Sequence, residues 1–159
     1  MNNNVNVEVS GIRLEEDSDT PIMLLHEPDT SRFLPIWIGT IEAVSIAYAQ
    51  EGYVHPRPQT HDLLIDIVES LNATISEVCI TDIKDKTYFA EITLNTIEGD
   101  VTLSSRPSDA IALAIRSNAK ITVNHNLFNQ NSIILIDENN QEIKEFIEFI
   151  DDITPEDFF

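Results

Sequence analysis

The sequence has little of several residue types on which whole classes of protein depend. Its 159 residues include a single cysteine, so the chain can form no internal disulfide bond. Cys79 lies in the alternating segment "ISEVCITDI", where a small buried hydrophobe is expected. There is no charged and then apolar leader, and no apolar run is long enough to cross a membrane as a helix. We therefore expect a soluble cytoplasmic protein with no membrane partner.

Basic residues are also scarce. The chain has 28 Asp and Glu residues against 9 Lys and Arg residues, which gives a formal net charge of −19. Residues 131–159 contain nine of the acids and one base, Lys144. Repulsion of this sign disfavours binding to a polyanion unless metal ions or a local basic patch intervene. Charge alone therefore argues against a nucleic-acid partner.

Sequence motifs that indicate a particular cofactor or catalytic class are absent as well. The sequence has no glycine-rich phosphate loop, no zinc-ligand spacing and no Gly-x-Ser-x-Gly nucleophile turn. We therefore expect no organic cofactor.

Apolar residues recur with both strand and helix periods, in mixed order. Strand patterns occur in "VNVEV", "PIMLLHE", "RFLPIWIG", "TISEVCITDI", "TYFAEITLNTI", "DVTLS" and "KITV". Helical patterns follow Gly39, Pro58 and Arg106, and a fourth lies in "EIKEFIEFIDDI". Hairpins mixed with crossovers predict an α+β fold, a single compact domain with a mixed β-sheet and about three to four helices.

Local features can be predicted within this outline. Gly11 permits a bulge, Thr40 and Thr60 are candidate N-caps, and Trp37 is expected in the core. The second helix should have one apolar face, formed by Leu63, Leu64, Ile67, Val68 and Leu71. The third helix should be buried nearly all round, since it has no polar face before Arg116.

No linker interrupts the first 130 residues. We therefore predict one domain over residues 5–128 and an acidic C-terminal extension over residues 129–159. The helix of the extension is expected to dock on the domain or on a second subunit.

Three predicted helices carry a carboxylate near the N-terminus, namely Glu42, Asp62 and Asp109. Each can serve only to complement the helix dipole, which contributes about 0.3–1 kcal/mol. If the three helix starts converge, however, these oxygens could hold Mg²⁺ or Mn²⁺ for phosphodiester hydrolysis. Spacing along the chain does not establish that they converge.

Arginine and histidine lie beside these carboxylates. Arg57 and Arg106 each precede a proline at a helix start and could clamp a phosphate or pin a carboxylate of the fold. His61, next to Asp62, is available as a general base.

Three segments together carry a family resemblance: "LPIWIGTIEAVSIA", "RPQTHDLL" and "SRPSDAIALAIRSNAKITV". In this order and at these separations they resemble the bifunctional nuclease family. The resemblance implies an α+β domain, often a homodimer, that cleaves both DNA and RNA. By motif position it implies seven residues: Glu42, Arg57, His61, Asp62, Arg106, Ser108 and Asp109. All of these except Ser108 are predicted as the site.

The resemblance and the chemistry together give one enzymatic hypothesis. DNA lacks the 2′-hydroxyl that allows two histidines to cleave RNA, so an enzyme that cuts both would more readily activate water on a divalent metal. Glu42, Asp62 and Asp109 would then hold the metal, His61 would position or deprotonate water, and the two arginines would stabilise the phosphate. The alternative is a non-catalytic binding or regulatory module in which Arg–carboxylate pairs join three helix starts and the acidic tail meets a basic partner.

Overall fold

The computed structural model describes residues 3–135, which form an α+β domain with two β-sheets. The strands in this range are β1 (Asn4–Asn6), β2 (Glu8–Leu14), β3 (Pro21–His26), β4 (Arg32–Trp37), β5 (Thr74–Lys84), β6 (Thr87–Thr96), β7 (Gly99–Ser105), β8 (Lys120–Asn124) and β9 (Ile133–Ile134). The helices are α1 (Thr40–Gln50), α2 (Thr60–Ser70), α3 (Pro107–Ser117) and α4 (His125–Asn131). The α+β class agrees with the prediction, and the three helices predicted within residues 3–135 are all present.

The predicted mixed β-sheet is confirmed, and the strands form a second sheet in addition to it. The five-stranded sheet has the order β1-β8-β5-β6-β7 and is antiparallel except where β5 pairs with β8. The four-stranded sheet, β2-β3-β4-β9, is antiparallel throughout. The division occurs within "VNVEV", where the Val7 N–H donates to the Ile121 carbonyl oxygen at 3.0 Å. Residues before Val7 thus stay with β8, and those after it enter the other sheet.

Helix α3 is the centre of the core. Its residues Ala110, Ile111 and Ala112 have no exposed surface, as its unbroken apolar sequence predicts. Helix α3 contacts β5, β6 and β8 of the five-stranded sheet, and both α1 and α2 pack on it. Helix α1 also contacts β2 and β3, so it links α3 to the second sheet. Because α1 and α2 both pack on α3, side chains from all three helices can meet.

Several local predictions are confirmed. The strand pairs β3–β4 and β5–β6 form the two expected hairpins. The register of β2 against β3 shifts between Val9 and Gly11, which is the predicted bulge. Helix α4 and strand β9 were not predicted. The predicted helix of the acidic extension lies outside the described residues.

Both N-cap predictions were wrong by one residue. Gly39 caps α1 and Gln59 caps α2, because both have extended backbones while the threonine that follows is already helical. At Gln59 a reciprocal capping box forms, in which the backbone N–H donates to Asp62 Oδ2 at 3.0 Å.

The prediction that Trp37 lies in the core was also wrong. Trp37 is 53% exposed, and its indole N–H donates to Glu15 at 3.1 Å. Leu34 and Ile36 face the core, so the alternation of a strand turns Trp37 outward. The apolar face of α2 is largely exposed at four positions: Leu63, Leu64, Ile67 and Leu71. The buried residue of α2 is instead His61.

No helix within residues 3–135 has the length and apolar character needed to cross a membrane.

Candidate functional site

Arg106 joins the starts of α1 and α3. It is the N-cap residue of α3, and its guanidinium reaches Glu42 in the first turn of α1, with Nη1 donating to Oε1 at 3.0 Å. It also donates to both carboxylate oxygens of Asp109, from Nε at 2.9 Å and from Nη2 at 3.2 Å. The paired geometry matches a planar guanidinium to a carboxylate, which is a strong form of ion pair.

His61 brings the start of α2 to the same place. Its Nε2 lies 2.9 Å from Asp109 Oδ1, and its Nδ1 lies 2.6 Å from the hydroxyl oxygen of Ser45 on α1. The residue is only 9% exposed. The first turns of all three helices therefore contribute side chains to one cluster.

Arg116 extends the cluster into the interior. It lies in the last turn of α3, and its Nε donates to Asp62 Oδ1 at 2.7 Å. Its Nη2 donates to the Ser45 hydroxyl oxygen at 3.1 Å and to the Ser45 carbonyl oxygen at 3.2 Å. One continuous chain of hydrogen bonds, the ionic network, thus runs through Glu42, Arg106, Asp109, His61, Ser45, Arg116 and Asp62.

One tautomer of His61 satisfies all of its hydrogen-bond partners. Arginine can only donate, so the Ser45 oxygen accepts from Arg116 and its own proton is free to go to His61 Nδ1. Nδ1 is then the acceptor nitrogen, and Nε2 carries the proton that is donated to Asp109.

Exposure divides the ionic network into an outer and an inner part. The Arg106 side chain is 63% exposed and those of Asp109 and Glu42 are 32% and 21% exposed, whereas that of Arg116 is 10% exposed. Arg106 uses three N–H groups in its bonds to Glu42 and Asp109, and a guanidinium has about five. The outer part therefore has unused donors that face water. In the inner part the Arg116 guanidinium is nearly buried, while the Asp62 side chain is 32% exposed.

The arginines hold the neighbouring carboxylates in the ionised form. Burial alone would raise the pKa of Asp109, but hydrogen bonds from Arg106 and His61 outweigh it and lower that pKa below its usual 3.8. Burial would likewise raise the pKa of Asp62. Hydrogen bonds from Arg116 and from the Gln59 backbone outweigh this effect and lower that pKa. Bonds to Asp109 and then Glu42 raise the pKa of Arg106. Asp62 and Asp109 are thus poor proton acceptors.

Five of the six residues predicted for the site belong to the ionic network, and Arg57 does not. Arg57 is exposed, and its backbone carbonyl oxygen accepts a 3.4 Å hydrogen bond from the Gln59 side chain. Its guanidinium has no ion pair or hydrogen bond with another residue of the described range.

The three predicted metal ligands do not form a common group. Arg106 lies between Glu42 and Asp109, and Asp62 pairs with Arg116 instead. Across residues 3–135, no group of three or more His, Cys, Asp and Glu side chains has an arrangement that could hold a metal ion. In this arrangement Glu42, Asp62 and Asp109 therefore do not fit Mg²⁺ or Mn²⁺, which require several oxygens around one point.

Sequence reasoning missed Ser45 and Arg116, although their spacing carried a signal. Ser45 follows Glu42 by three residues, and Arg116 follows Asp109 by seven, so each pair lies on one face of its helix. Gly39 was also missed as part of the site. A β-carbon there would collide with Glu42 Oε2, so the glycine leaves room for that carboxylate.

The fold and the ionic network together define an α+β domain in which three helix starts converge on a partly exposed cluster of charges. The model of the bifunctional nuclease domain matches residues 23–135. The chain therefore belongs to the bifunctional nuclease domain family.

Full-length and partial relatives both occur. The chain is 37% identical over 161 residues to an uncharacterised protein of Mycobacterium tuberculosis, with 96% of each chain covered. It is 31% identical over 120 residues to bifunctional nuclease 2 of Arabidopsis thaliana, covering 73% of this chain and 36% of the plant protein. It is 25% identical over 118 residues to bifunctional nuclease 1 of Oryza sativa subsp. indica, with 72% and 36% covered. The chain thus spans about a third of the plant proteins.

Proposed function

We propose that this protein is a nuclease that hydrolyses phosphodiester bonds of nucleic acid at the outer part of the ionic network. The observation that carries the proposal is the exposed guanidinium of Arg106, held rigidly by two carboxylates with N–H groups still unused. Such a group can bind a phosphate oxygen bidentately. The relatives named as bifunctional nucleases support the same chemistry.

The roles of the other residues follow from their contacts. Glu42 Oε1 accepts from Arg106, and we assign the Glu42 carboxylate, adjacent to this guanidinium, as the acceptor of a proton from the attacking water. The water oxygen forms a new bond to phosphorus, the ester bond breaks, and the leaving oxygen takes a proton from solvent. His61 has both ring nitrogens engaged, so it is a positioning residue that orients Asp109, which in turn orients Arg106.

The proposal also includes the kind of substrate and the role of divalent metal ions. The substrate is expected to be a short or single-stranded nucleic acid, DNA or RNA, because a −19 protein repels an extended duplex more strongly. We assign no chemical step to Mg²⁺ or Mn²⁺, because the carboxylates do not share one ligand geometry. Divalent ions are expected to assist by neutralising charge between protein and substrate.

The test is cleavage of end-labelled single-stranded DNA and RNA with Mg²⁺, with Mn²⁺ and with a chelator. Arg106→Lys keeps the positive charge but loses the fork, and should lower kcat/KM by roughly 10- to 100-fold, the loss expected for one or two charged hydrogen bonds. Arg32→Lys is the matched control. Arg32 also donates from two nitrogens to a carboxylate, that of Glu27, but it lies at the other end of β4. Equal activity of Arg106→Lys and wild type would contradict the proposal.

The inner part of the ionic network favours the second candidate, a non-catalytic binding or regulatory module. Arg116 is nearly buried and donates to Asp62, Ser45 and the Ala112 carbonyl oxygen, so its role there is to join helices. If the outer part has the same purpose, folded protein should be inert on both substrates under all three metal conditions.

A further inference from the structure

The outer (edge) strands of a β-sheet can associate with other molecules, because their unpaired N–H and C=O groups can pair with another chain. Within residues 3–135 the two sheets have four outer strands: β1, β7, β2 and β9. Three of them have a feature that limits such pairing. Strands β1 and β9 are three and two residues long, and β2 has the bulge at Gly11 and the charged residues Glu8 and Arg13.

Strand β7 has none of these protections. It is seven residues long and pairs with β6 in unbroken register from Gly99 to Ser105. Its sequence, "GDVTLSS", contains no proline, lysine or arginine and only one acid, Asp100. Six of the seven residues are exposed. The described part of the chain therefore leaves a long, regular and nearly neutral strand edge without a partner.

An apolar strip accompanies this edge. Val101 and Leu103 are 44% and 47% exposed and lie opposite Leu94 and Ile92 of β6, on the face of the sheet that α3 covers. The same row continues through Leu94 to Ile75 of β5, where α2 joins the sheet. The exposed Leu71 follows the end of α2 at this point. A partner along β7 would thus cover apolar surface as well as pair the backbone.

We propose that β7 pairs antiparallel with β7 of a second copy of this chain, about a two-fold axis at Thr102. The strand is self-complementary in this register: Val101 lies opposite Leu103 of the second copy, and Asp100 lies opposite Ser104. No two like charges face each other. The two five-stranded sheets become one continuous ten-stranded sheet.

The charge distribution favours a second copy of the chain, rather than the C-terminal segment of the same chain, as the partner of β7. On a molecule of net charge −19, two copies can approach only along a surface that carries little charge, and β7 is such a surface. The segment 136–159 carries nine acids and one base, and its approach would set acids against Asp100. The last described strand, β9, belongs to the other sheet. The proposal is independent of nuclease activity.

A disulfide tests the register directly. In the proposed pair the two Thr102 Cα atoms are about 4.5–5.5 Å apart, within the roughly 4.4–6.8 Å that a disulfide spans. Oxidised Thr102→Cys protein should therefore run as a covalent dimer on a non-reducing gel. Asp100→Cys is the matched control, because the two positions 100 are four residues out of register, roughly 14 Å apart. Wild type sets the background, since Cys79 is half-buried and burial raises its thiol pKa.

Light scattering after gel filtration tests the assembly without cysteines. Wild type should have twice the chain mass of 17.9 kDa. The double variant Val101→Lys with Leu103→Lys sets lysines opposite each other and should have the mass of one chain. Ile133→Lys with Ile134→Lys changes two exposed apolar residues on β9 and should stay dimeric.

Three results would overturn the proposal. The first is a monomeric wild type at all concentrations up to about 0.1 mM, well above typical dimer dissociation constants. The second is slow hydrogen exchange of β7 amides in such a monomer, which would assign the edge to residues 136–159. The third is a dimer that survives the lysine double variant and fails to cross-link at position 102, which places the contact elsewhere.

Discussion

At the scale of single residues, Ser45 connects the two arginines of the ionic network through His61. Its hydroxyl oxygen accepts from Arg116 at 3.1 Å and lies 2.6 Å from His61 Nδ1. No charge resides on Ser45, yet without it neither neighbour keeps its full set of partners. The orientation of the His61 ring, and hence of Asp109, depends on this one hydroxyl.

Ser45→Ala should therefore change both stability and the state of His61. The unpaired Nδ1 and the lost acceptor should lower the free energy of unfolding by about 1–3 kcal/mol. The ¹⁵N resonances of the His61 ring should shift from the pure Nε2–H form toward a mixture of tautomers. Urea denaturation and NMR of ¹⁵N-histidine protein measure the two effects.

Ser70→Ala is the control for this prediction. Ser70 also lies in a helix, but its hydroxyl donates only to the exposed Asp66 carbonyl oxygen. Unchanged His61 resonances in Ser45→Ala would show that the serine does not set the tautomer.

Single residues also show what the sequence could and could not predict about the site. Glu42, His61, Arg106 and Asp109 were predicted together, because each lies at a predicted helix start and within a motif that carries the family resemblance. Ser45 and Arg116 escaped, because a serine in mid-helix and an arginine in a last turn are ordinary at their positions. Which carboxylate pairs with which arginine depends on how helices pack, and that information is not local.

At the scale of elements, the start of α1 is shaped by Gly39. Its backbone is extended, with φ of −77° and ψ of 160°, a conformation open to any residue. Gly39→Ala should therefore cost little stability while its β-carbon displaces Glu42 from Arg106. We expect kcat/KM to fall at least about tenfold, equivalent to 1.4 kcal/mol, in the single-strand cleavage assay.

Gly52→Ala provides the opposite comparison. Gly52 follows α1 with φ of +69° and has open space around it, so alanine there strains the backbone without touching the site. Stability should fall by roughly 1 kcal/mol with kcat/KM unchanged. If Gly39→Ala behaves in the same way, the glycine has no role in placing Glu42.

The ion pair between Asp62 and Arg116 ties α2 to α3, and its contribution should depend on pH. The folded-state pKa of Asp62 is lowered, so its stabilisation is fully present above the usual pKa of 3.8 and is lost as the pH falls through the folded value. Asp62→Asn should be less stable than wild type by roughly 1–3 kcal/mol at pH 7. The difference should shrink below about pH 4, as urea denaturation at several pH values will measure.

Asp66→Asn, one turn further along α2, is the control for this pH series. Asp66 is exposed, so the loss of its charge should change the free energy of unfolding only slightly at every pH. The pairing of Asp62 with Arg116 would be contradicted if the free energies of unfolding of Asp62→Asn and wild type differed by the same amount from pH 7 to below pH 4.

Helices and strands were predicted well where the apolar residues recur with a clear period. They were predicted poorly where tertiary contacts determine the structure. The hairpins and α3 followed from alternation and from an unbroken apolar run. The exposed apolar face of α2 did not, because amphipathicity indicates which side of a helix is apolar and not whether anything covers it. The split of "VNVEV" between two sheets depends on the distant residue Ile121, which no local pattern contains.

At the scale of the whole molecule, the net charge of −19 sets how a nucleic acid approaches. A basic nuclease loses affinity as salt rises, but here salt screens repulsion. We expect kcat/KM on a single-stranded oligonucleotide to rise from about 10 mM to about 150 mM NaCl, as the Debye length falls from roughly 30 Å to 8 Å. Initial rates at low substrate concentration measure this dependence.

A small substrate with one negative charge, bis(p-nitrophenyl) phosphate, controls for salt effects on the chemical step. Its hydrolysis should vary much less with salt, because one charge feels little of the overall repulsion. A fall of kcat/KM on the oligonucleotide with rising salt would instead indicate a local basic surface that overrides the net charge.

The position of β8 has a consequence for how the domain is synthesised. Strand β8 lies between β1 and β5, with Asn4 opposite Asn124. On a translating ribosome, β2, β3 and β4 can assemble soon after they emerge, because they are neighbours in sequence. The first strand must wait, unpaired, until residue 124 has left the exit tunnel. Completion of the five-stranded sheet is therefore nearly the last event in the biogenesis of the domain.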